Sequence, residues 1–225
     1  MTADIRRLVN TCETCQAAKH SNPVPNKNRQ RLQAGRPWLV LSVDLVGPLT
    51  PTPRGNTAIL VLSDHFTRWR DAIPVQNGSA ETIAETLEKR VFCYLRVPER
   101  IHTDQGAQFE SRLMAELCAL WRVQKSHTTP YHLQAYGVVE KVNRDLGNML
   151  RSMLLGKYEK NWDLLLPQIM HTIRASPPLH KQTGETANFM MLGRETRLPR
   201  TSHVRPSSER NYLTGELLRR AESPH

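Results

Sequence analysis

The chain has 225 residues, of which 39% are hydrophobic and 23% charged, and its formal net charge is +10. This length accommodates one full domain with flanking segments, and no apolar run approaches the roughly 20 residues that cross a bilayer, so we expect no membrane role. The first ten residues lack the apolar stretch of a secretory signal and the four cysteines are unevenly spaced, which together indicate a reducing, intracellular compartment.

The first 36 residues are predicted to lie outside the main domain. Cys12 and Cys15 form a CxxC pair, which alone fits either half of a zinc site or two buried thiols. Residues 21–36 are rich in Pro, Asn and basic side chains and show no sustained apolar period. We therefore interpret residues 21–36 as a linker.

Three apolar, β-branched stretches follow the linker, separated by turn signals. They cover Trp38–Val46, Thr57–Leu62 and Trp69–Val75, with GPLTPTPRGN as the first connection. Stretches of this length and composition predict strands, and their short connections predict that the three pair antiparallel as consecutive hairpins.

Helices and strands alternate in the next part of the chain. Residues 79–95 repeat Ile83, Leu87, Val91 and Leu95 at helical spacing, and Ser79 is a candidate N-cap. The further predicted elements are a strand over Arg100–Thr103, a helix over Glu110–Trp121, a strand over Val123–His127 and a helix over Gly137–Leu155. Cys93 and Cys118 fall at apolar helix positions, so we expect both to be core residues.

The element order is therefore β-β-β-α-β-α-β-α, which is the order of the ribonuclease H-like fold. It predicts an α/β domain over residues 37–195, with a mixed five-stranded sheet flanked by helices. Residues 196–225 are predicted to be a basic, loosely ordered tail, apart from a short helix near Leu213–Ala221.

The positive charge is concentrated at the two ends of the chain. Residues 1–36 hold seven Lys/Arg against two acidic residues, and residues 193–225 hold seven against four, which gives +5 and +3. Subtracting both from +10 leaves +2 for residues 37–192. Such flanks suit a polyanionic partner such as nucleic acid, although charge alone is equally compatible with solvated tails.

Three carboxylates stand out from this pattern. Asp44 interrupts an otherwise apolar strand, Asp104 follows a short strand, and Glu140 lies near the start of the last predicted helix. Each has a simple structural alternative: a solvated or ion-paired strand end, an Asx-turn and a helix-dipole partner, respectively. Together they are predicted to converge at one end of the sheet, where carboxylate oxygens suit divalent magnesium.

The chain resembles the integrases of gypsy-type retrotransposons, which are similar in turn to retroviral integrases. The matching segments, in the family's order, are VDLVGPL, LSDHFTRWRDAIPV, IHTDQGAQFES, TTPYHLQAYGVVEKVNRDLGNMLRSML and NFMMLGRETRLP. Between Asp104 and Glu140 lie 35 residues, counted as 140 − 104 − 1, which is the hallmark spacing of that family.

The resemblance implies that Asp44, Asp104 and Glu140 are the catalytic carboxylates and hold two Mg²⁺ or Mn²⁺ ions. It implies DNA 3′-end processing and strand transfer into target DNA, with DNA and not a small molecule as substrate. It further implies a nuclear location and a homo-oligomer as the active form. Asp64 and Asp71 are rival carboxylates, and Asp64 is kept as a candidate supporting residue behind the metal ligands.

DNA contacts are expected from the loop before Glu140 and from the helix that carries it. The alternative for these residues is a solvated helix face. The candidate DNA-binding residues are Tyr131, His132, Gln134, Lys141, Asn143, Arg144, Arg151 and Lys157.

The chain departs from the family in two places. The family has an HH-CC zinc module where residues 1–20 stand, but no histidine precedes Cys12, so we interpret this segment as a remnant that binds Zn²⁺ only if the module is completed. Leu133 replaces a usual proline, Tyr136 a small or polar residue, and Lys141 an arginine. These departures leave two alternatives to a working integrase: a domesticated DNA-binding protein without productive integration, and a chromatin-binding module.

Overall fold

Five strands form one mixed sheet in the computed structural model of the chain, which describes residue 11 and residues 34–127, 159–176 and 184–196. Their spatial order is β3-β2-β1-β4-β5. The strands are β1 Val40–Val46, β2 Ala58–Asp64, β3 Arg70–Val75, β4 Arg100–Thr103 and β5 Gln124–His127.

The pairing changes direction at the central strand. β1, β2 and β3 pair antiparallel, whereas β4 runs parallel to β1 and β5 parallel to β4. β2 is buried along its whole length and β1 over its first four residues, which agrees with their β-branched and leucine-rich sequences. The mixed five-stranded sheet predicted from the sequence is therefore confirmed.

Four helices flank the sheet in the described part of the chain. Side-chain hydroxyls cap three of them: Ser79 accepts the N–H of Thr82, Ser111 that of Met114, and Thr186 that of Phe189. The helices are α1 Ala80–Thr86, which continues as a π-helical turn over Leu87–Phe92, α2 Arg112–Leu120, α3 Trp162–Ala175 and α4 Ala187–Leu192. Among the described residues, no helix is both long and apolar enough to cross a membrane.

The two faces of the sheet carry separate cores. Leu41, Val43, Leu60 and Leu62 point to one face and pack against α1 and α2. The other face carries Ile59, Val61 and Ala72, which pack against Trp162, Leu166, Ile169, Met170 and Ile173 of α3. Every second residue of β1 and β2 thus belongs to the same face, as strand geometry requires.

The first predicted helix was too long. The π-helical turn ends at Phe92, and Cys93 and Leu95 are exposed, so the expectation of a core position is wrong for Cys93 and confirmed for Cys118. In the π turn the N–H of Cys93 bonds to Glu88 O, five residues back, which rotates later side chains away from the core.

Helices α3 and α4 were not predicted, although α3 repeats apolar residues at helical spacing. The helix predicted over Gly137–Leu155, the remnant over residues 1–20, most of the linker and the tail helix lie outside the described residues.

A buried carboxylate ties the β1–β2 connection to α3. Asp163, with 2% of its side chain exposed, accepts hydrogen bonds from Thr52 Oγ1 at 3.0 Å, Arg54 Nε at 2.7 Å and Asn56 Nδ2 at 2.7 Å. The Arg54 guanidinium, with smaller contributions from Asn56 and Thr52, holds the pKa of Asp163 well below its usual range. The ionised carboxylate is thus fully paired where α3 begins.

A second buried carboxylate closes the turn between β2 and β3. Asp64 Oδ1 accepts the N–H of Trp38 at 2.9 Å, and Oδ2 accepts the N–H and hydroxyl of Thr67 at 2.8 and 2.7 Å. Burial raises the pKa of Asp64, and the bonds from Thr67 and Trp38 act against that rise. In the sheet register Asp64 lies opposite Leu41, on the face that α1 and α2 cover.

Asp163→Ala is expected to lower the free energy of unfolding by about 2–3 kcal/mol, because buried donors lose a charged acceptor. Since the folded pKa lies below the ordinary value near 4, this contribution is present above about pH 4 and lost as pH falls toward the folded pKa. Urea unfolding at pH 7 and at pH 3 measures both effects. If Asp163→Ala lowered the free energy of unfolding equally at pH 7 and at pH 3, the prediction would be wrong.

Asp64→Asn is expected to destabilise the fold by about 1–3 kcal/mol, because an amide has one acceptor oxygen for the two buried N–H groups that the carboxylate serves. Asp71→Asn is the matched control, since Asp71 is only partly buried and lies 3.7 Å from Arg174. Urea midpoints compare the two variants. A larger loss of stability in Asp71→Asn than in Asp64→Asn would contradict this account.

Candidate active site at the carboxyl ends of β1 and β4

Two of the three predicted carboxylates belong to neighbouring strands or their ends, Asp44 within β1 and Asp104 directly after β4. Residues Val40, Leu41 and Ser42 of β1 pair in parallel with residues 100, 101 and 102 of β4, an offset of 60 positions. Asp44 lies two positions after the last of these pairs, and Asp104 directly follows the last residue of β4. Neighbouring strands are about 4.8 Å apart, so we expect the two carboxylates to lie close together at the same end of the sheet.

The orientation of each carboxylate is set by its own backbone. Asp44 Oδ1 accepts the N–H of Leu45 at 2.8 Å, and Asp104 Oδ1 accepts the N–H of Gly106 at 2.9 Å. A Cβ on Gly106 would lie 3.0 Å from Asp104 Oδ1 and 2.3 Å from the end of Gln108, so glycine permits this tight turn. Both aspartates are half-buried and therefore reachable from solvent.

Asp44 lies on the face of the sheet that α3 covers. Its register partner in β2 is Val61, which belongs to the core that α3 completes. Asp64 lies on the opposite face. The placement of Asp64 therefore argues against the supporting role behind the metal ligands that the sequence suggested.

A row of polar side chains crosses the sheet next to the two carboxylates. The register aligns one residue from each strand: Arg70 on β3, Ser63 on β2, Ser42 on β1, His102 on β4 and Ser126 on β5. Four of them are buried and Ser126 is half-buried. Ser42 and His102 each precede a carboxylate by two positions, so this polar row shares the carboxylate face.

Two histidines meet within this region. His65 Nε2 and Ser42 Oγ are 2.5 Å apart, and His102 Nδ1 and Ser126 Oγ are 3.1 Å apart. The two imidazole rings contact edge to face, with centroids 6.5 Å apart. Burial lowers the pKa of His102, and the neighbouring His127 and Arg100 lower it further, so His102 is neutral at pH 7.

The donor set fits a hard divalent cation. Two aspartates at adjacent strand ends offer the oxygen ligands that magnesium prefers. Among the described residues, no group of three His, Cys, Asp or Glu side chains forms a metal site. Glu140, the third predicted ligand, lies outside the described residues, as do Cys12, Cys15 and all eight candidate DNA-binding residues. The metal role of the three acids stays a prediction.

Two other acids, Asp71 and Glu110, have basic partners. Asp71 lies 3.7 Å from Arg174, and Glu110 accepts Lys125 Nζ at 2.9 Å.

The polar row itself was not predicted from the sequence. Its signal was the placement of Ser42 and His102 two positions before the predicted ligands, which puts them on the same face of adjacent strands.

Comparison with known sequences shows which proteins this chain is similar to. The family model of the integrase core domain matches residues 34–132. The chain is 27% identical, over 91% of its length, to gypsy retrotransposon integrase-like protein 1 of Bos taurus, of which it covers 40%. It is 26% identical, over 80% of its length, to the Gag-Pol polyprotein of feline leukemia virus, of which it covers 10%. The chain thus spans two fifths or less of these relatives.

Solved structures share the fold. A chain of the simian T-cell lymphotropic virus intasome in complex with PP2A regulatory subunit B56 gamma matches with a TM-score of 0.63 and 18% identity, over 88% of this chain and 69% of that one. The HTLV-2 integrase catalytic core domain in complex with magnesium matches with a TM-score of 0.55 and 20% identity, over 72% and 99%. Residues 34–132 thus match the model of the integrase core domain, and the described sheet and helices share the fold of solved integrase structures.

Proposed function

We propose that this chain is the catalytic part of a DNA integrase that trims DNA 3′ ends and joins them to target DNA, using two magnesium or manganese ions. The observation that carries the proposal is the juxtaposition of Asp44 and Asp104 at the carboxyl ends of two parallel strands. Glu140 supplies the third carboxylate, at the spacing that the resemblance implies.

The chemistry consists of two phosphodiester exchanges. In the first, water attacks a phosphorus near the DNA end and the bond to the leaving 3′-oxygen breaks, which leaves a 3′-hydroxyl. In the second, that hydroxyl attacks a target phosphorus and displaces the target's 3′-oxygen. Two bound cations stabilise the attacking and leaving oxygens of such a displacement. One phosphodiester bond forms as another breaks in the joining step, so it needs no energy-rich cofactor.

The role of the described residues is to hold the ligands in place. The backbone N–H groups of Leu45 and Gly106 fix the rotation of the two aspartates. Helix α3 closes the carboxylate face beside β1, since its apolar side chains pack over Val61. Asp44 therefore sits within the central strand β1, and rigid strands hold a catalytic group more precisely than loops do.

DNA and further copies of this chain are the proposed partners. The two ends of the chain carry +8 of the +10 net charge, which suits DNA phosphates. The neighbouring structures are an intasome and a trimeric core domain, which supports a homo-oligomer as the active form. Work on chromosomal DNA implies a nuclear location.

Glu140→Gln and Asp104→Asn are each expected to abolish magnesium-dependent nicking and strand transfer on short DNA duplexes, because each removes a negative ligand while keeping the side chain's shape. Gel assays of labelled duplexes with the purified chain measure both reactions. Glu110→Gln is the matched control and should keep activity, since Glu110 pairs with Lys125.

DNA binding is expected to survive both substitutions. A wild-type chain that binds DNA without any metal-dependent cleavage would favour the domesticated DNA-binding alternative, which the changes at Leu133, Tyr136 and Lys141 already suggest. Full activity in Glu140→Gln would show that another acid is the ligand.

Changing Lys27, Arg29 and Arg31 together to glutamine is expected to weaken DNA binding and flatten its salt dependence. Each lost phosphate contact lowers the slope of log K against log salt by about 0.9. Fluorescence anisotropy across a salt series measures the slope. The matched control changes Lys89, Arg96 and Arg112, which removes the same charge from exposed positions around α1 and α2. Equal slopes in both triple variants would show that the basic residues of the linker make no specific contribution to DNA binding.

A further inference from the structure

We propose that Ser42, His65, His102 and Ser126 form a positioning network that sets the magnesium affinity of the site by holding Asp44 and Asp104 at a fixed separation. This inference rests on the proposed function, because it assumes that the two aspartates are metal ligands.

The network joins every strand that carries or flanks a carboxylate. Ser42 lies on β1 and contacts His65 Nε2 at 2.5 Å, while Ser126 lies on β5 and contacts His102 Nδ1 of β4 at 3.1 Å. The edge-to-face contact between the two imidazoles links the two pairs. Ser126 Oγ also donates to Ile101 O at 3.2 Å, which ties it to the backbone of β4.

The position of the network places it directly under the carboxylates. Ser42 precedes Asp44 by two residues and shares its face of β1, and His102 precedes Asp104, which directly follows β4, by two residues. Ser42 and His102 are themselves register partners. A change in their separation therefore changes the separation of the aspartates one step further along.

The short strand β4 needs such support. It has four residues, and its pairing with β1 covers three of them, all before the carboxylate. Beyond Thr103 the chain leaves the sheet, so the ladder does not itself hold Asp104. Metal ligands must be placed to within about 0.5 Å, and buried polar networks with defined hydrogen bonds restrict the geometry more than apolar packing does.

A purely structural role is the competing explanation for these buried groups. Burying a hydroxyl or an imidazole costs free energy unless it is hydrogen-bonded, so the pairs would be needed for stability in any case. The two explanations differ in what a variant changes. A structural role alters only the free energy of unfolding, whereas a positioning role also alters magnesium affinity at equal folding.

Ser42→Ala and Ser126→Ala test the proposal from the two ends of the network. The readout is the magnesium concentration that gives half-maximal thermal stabilisation of the DNA-free chain, which needs no catalysis. We expect this concentration to rise about threefold to tenfold in each variant, less than the roughly 10–100-fold effect of residues that bond metal ligands directly. Ser126→Thr keeps the hydroxyl and should restore the wild-type value.

Ser63→Ala is the matched control. Ser63 is buried in the same row, one strand from Ser42, but its hydroxyl has no hydrogen-bond partner among the described residues. It should leave the half-maximal magnesium concentration unchanged. Asp163→Ala serves as a second control, because it should lower the melting temperature without changing that concentration.

A double variant tests whether the two ends act as one unit. If they do, Ser42→Ala and Ser126→Ala combined should weaken magnesium binding by less than the product of the single effects, because the first already disrupts the network. If the two single effects on magnesium affinity multiply fully in the double variant, the two ends act independently and the proposed network is wrong.

The outcomes separate this inference from the proposed function. If magnesium does not stabilise the wild-type chain, or still stabilises Asp104→Asn, the proposed metal site fails. If Asp104→Asn loses the effect while Ser42→Ala and Ser126→Ala keep wild-type affinity, the metal site stands and the positioning network is wrong.

Discussion

The parallel register between β1 and β4 is the constraint on which the candidate site depends. It aligns Ser42 with His102, and each of these residues precedes one of the two aspartates, Asp44 and Asp104, by two positions. A slip of one residue would turn every side chain of β4 to the opposite face and separate the acids. The register is held by burial, because Leu41 and Ile101 are register partners and both are fully buried in the core under α1 and α2.

The larger apolar core and the candidate site lie on opposite faces of the sheet. The face under α1 and α2 holds the larger apolar core, whereas the face under α3 combines a smaller core with the polar row and the aspartates. Acids with structural roles are satisfied by donors: Asp163 has three partner side chains and Asp64 two backbone N–H groups. Asp44 and Asp104 are instead only half-buried at the sheet edge.

The order of strands and helices along the chain as far as β5, and the positions of Asp44 within β1 and Asp104 directly after β4, could be predicted from sequence, because they depend on local periodicity and turn residues. The exposed position of Cys93 could not be predicted, because a π-helical turn changes the angle between successive side chains and no sequence pattern marks it. Helix α3 was missed although Trp162, Leu166, Ile169 and Ile173 lie at helical spacing, because Pro167 interrupts the signal. The polar row depends on cross-strand alignment, which local spacing does not encode.

The charge distribution adds a physical reason for metal and DNA to act together. Residues 37–192 carry only +2, and the site itself concentrates carboxylates, which repel a phosphate in the absence of cations. In the proposed function, bound divalent ions would reverse the sign of the local field, so the same site would then attract the scissile phosphate. The basic ends would attract DNA whether or not metal is present, because their charge is permanent. DNA affinity would therefore come from the ends of the chain and phosphate placement from the candidate site, so the two properties would be separable.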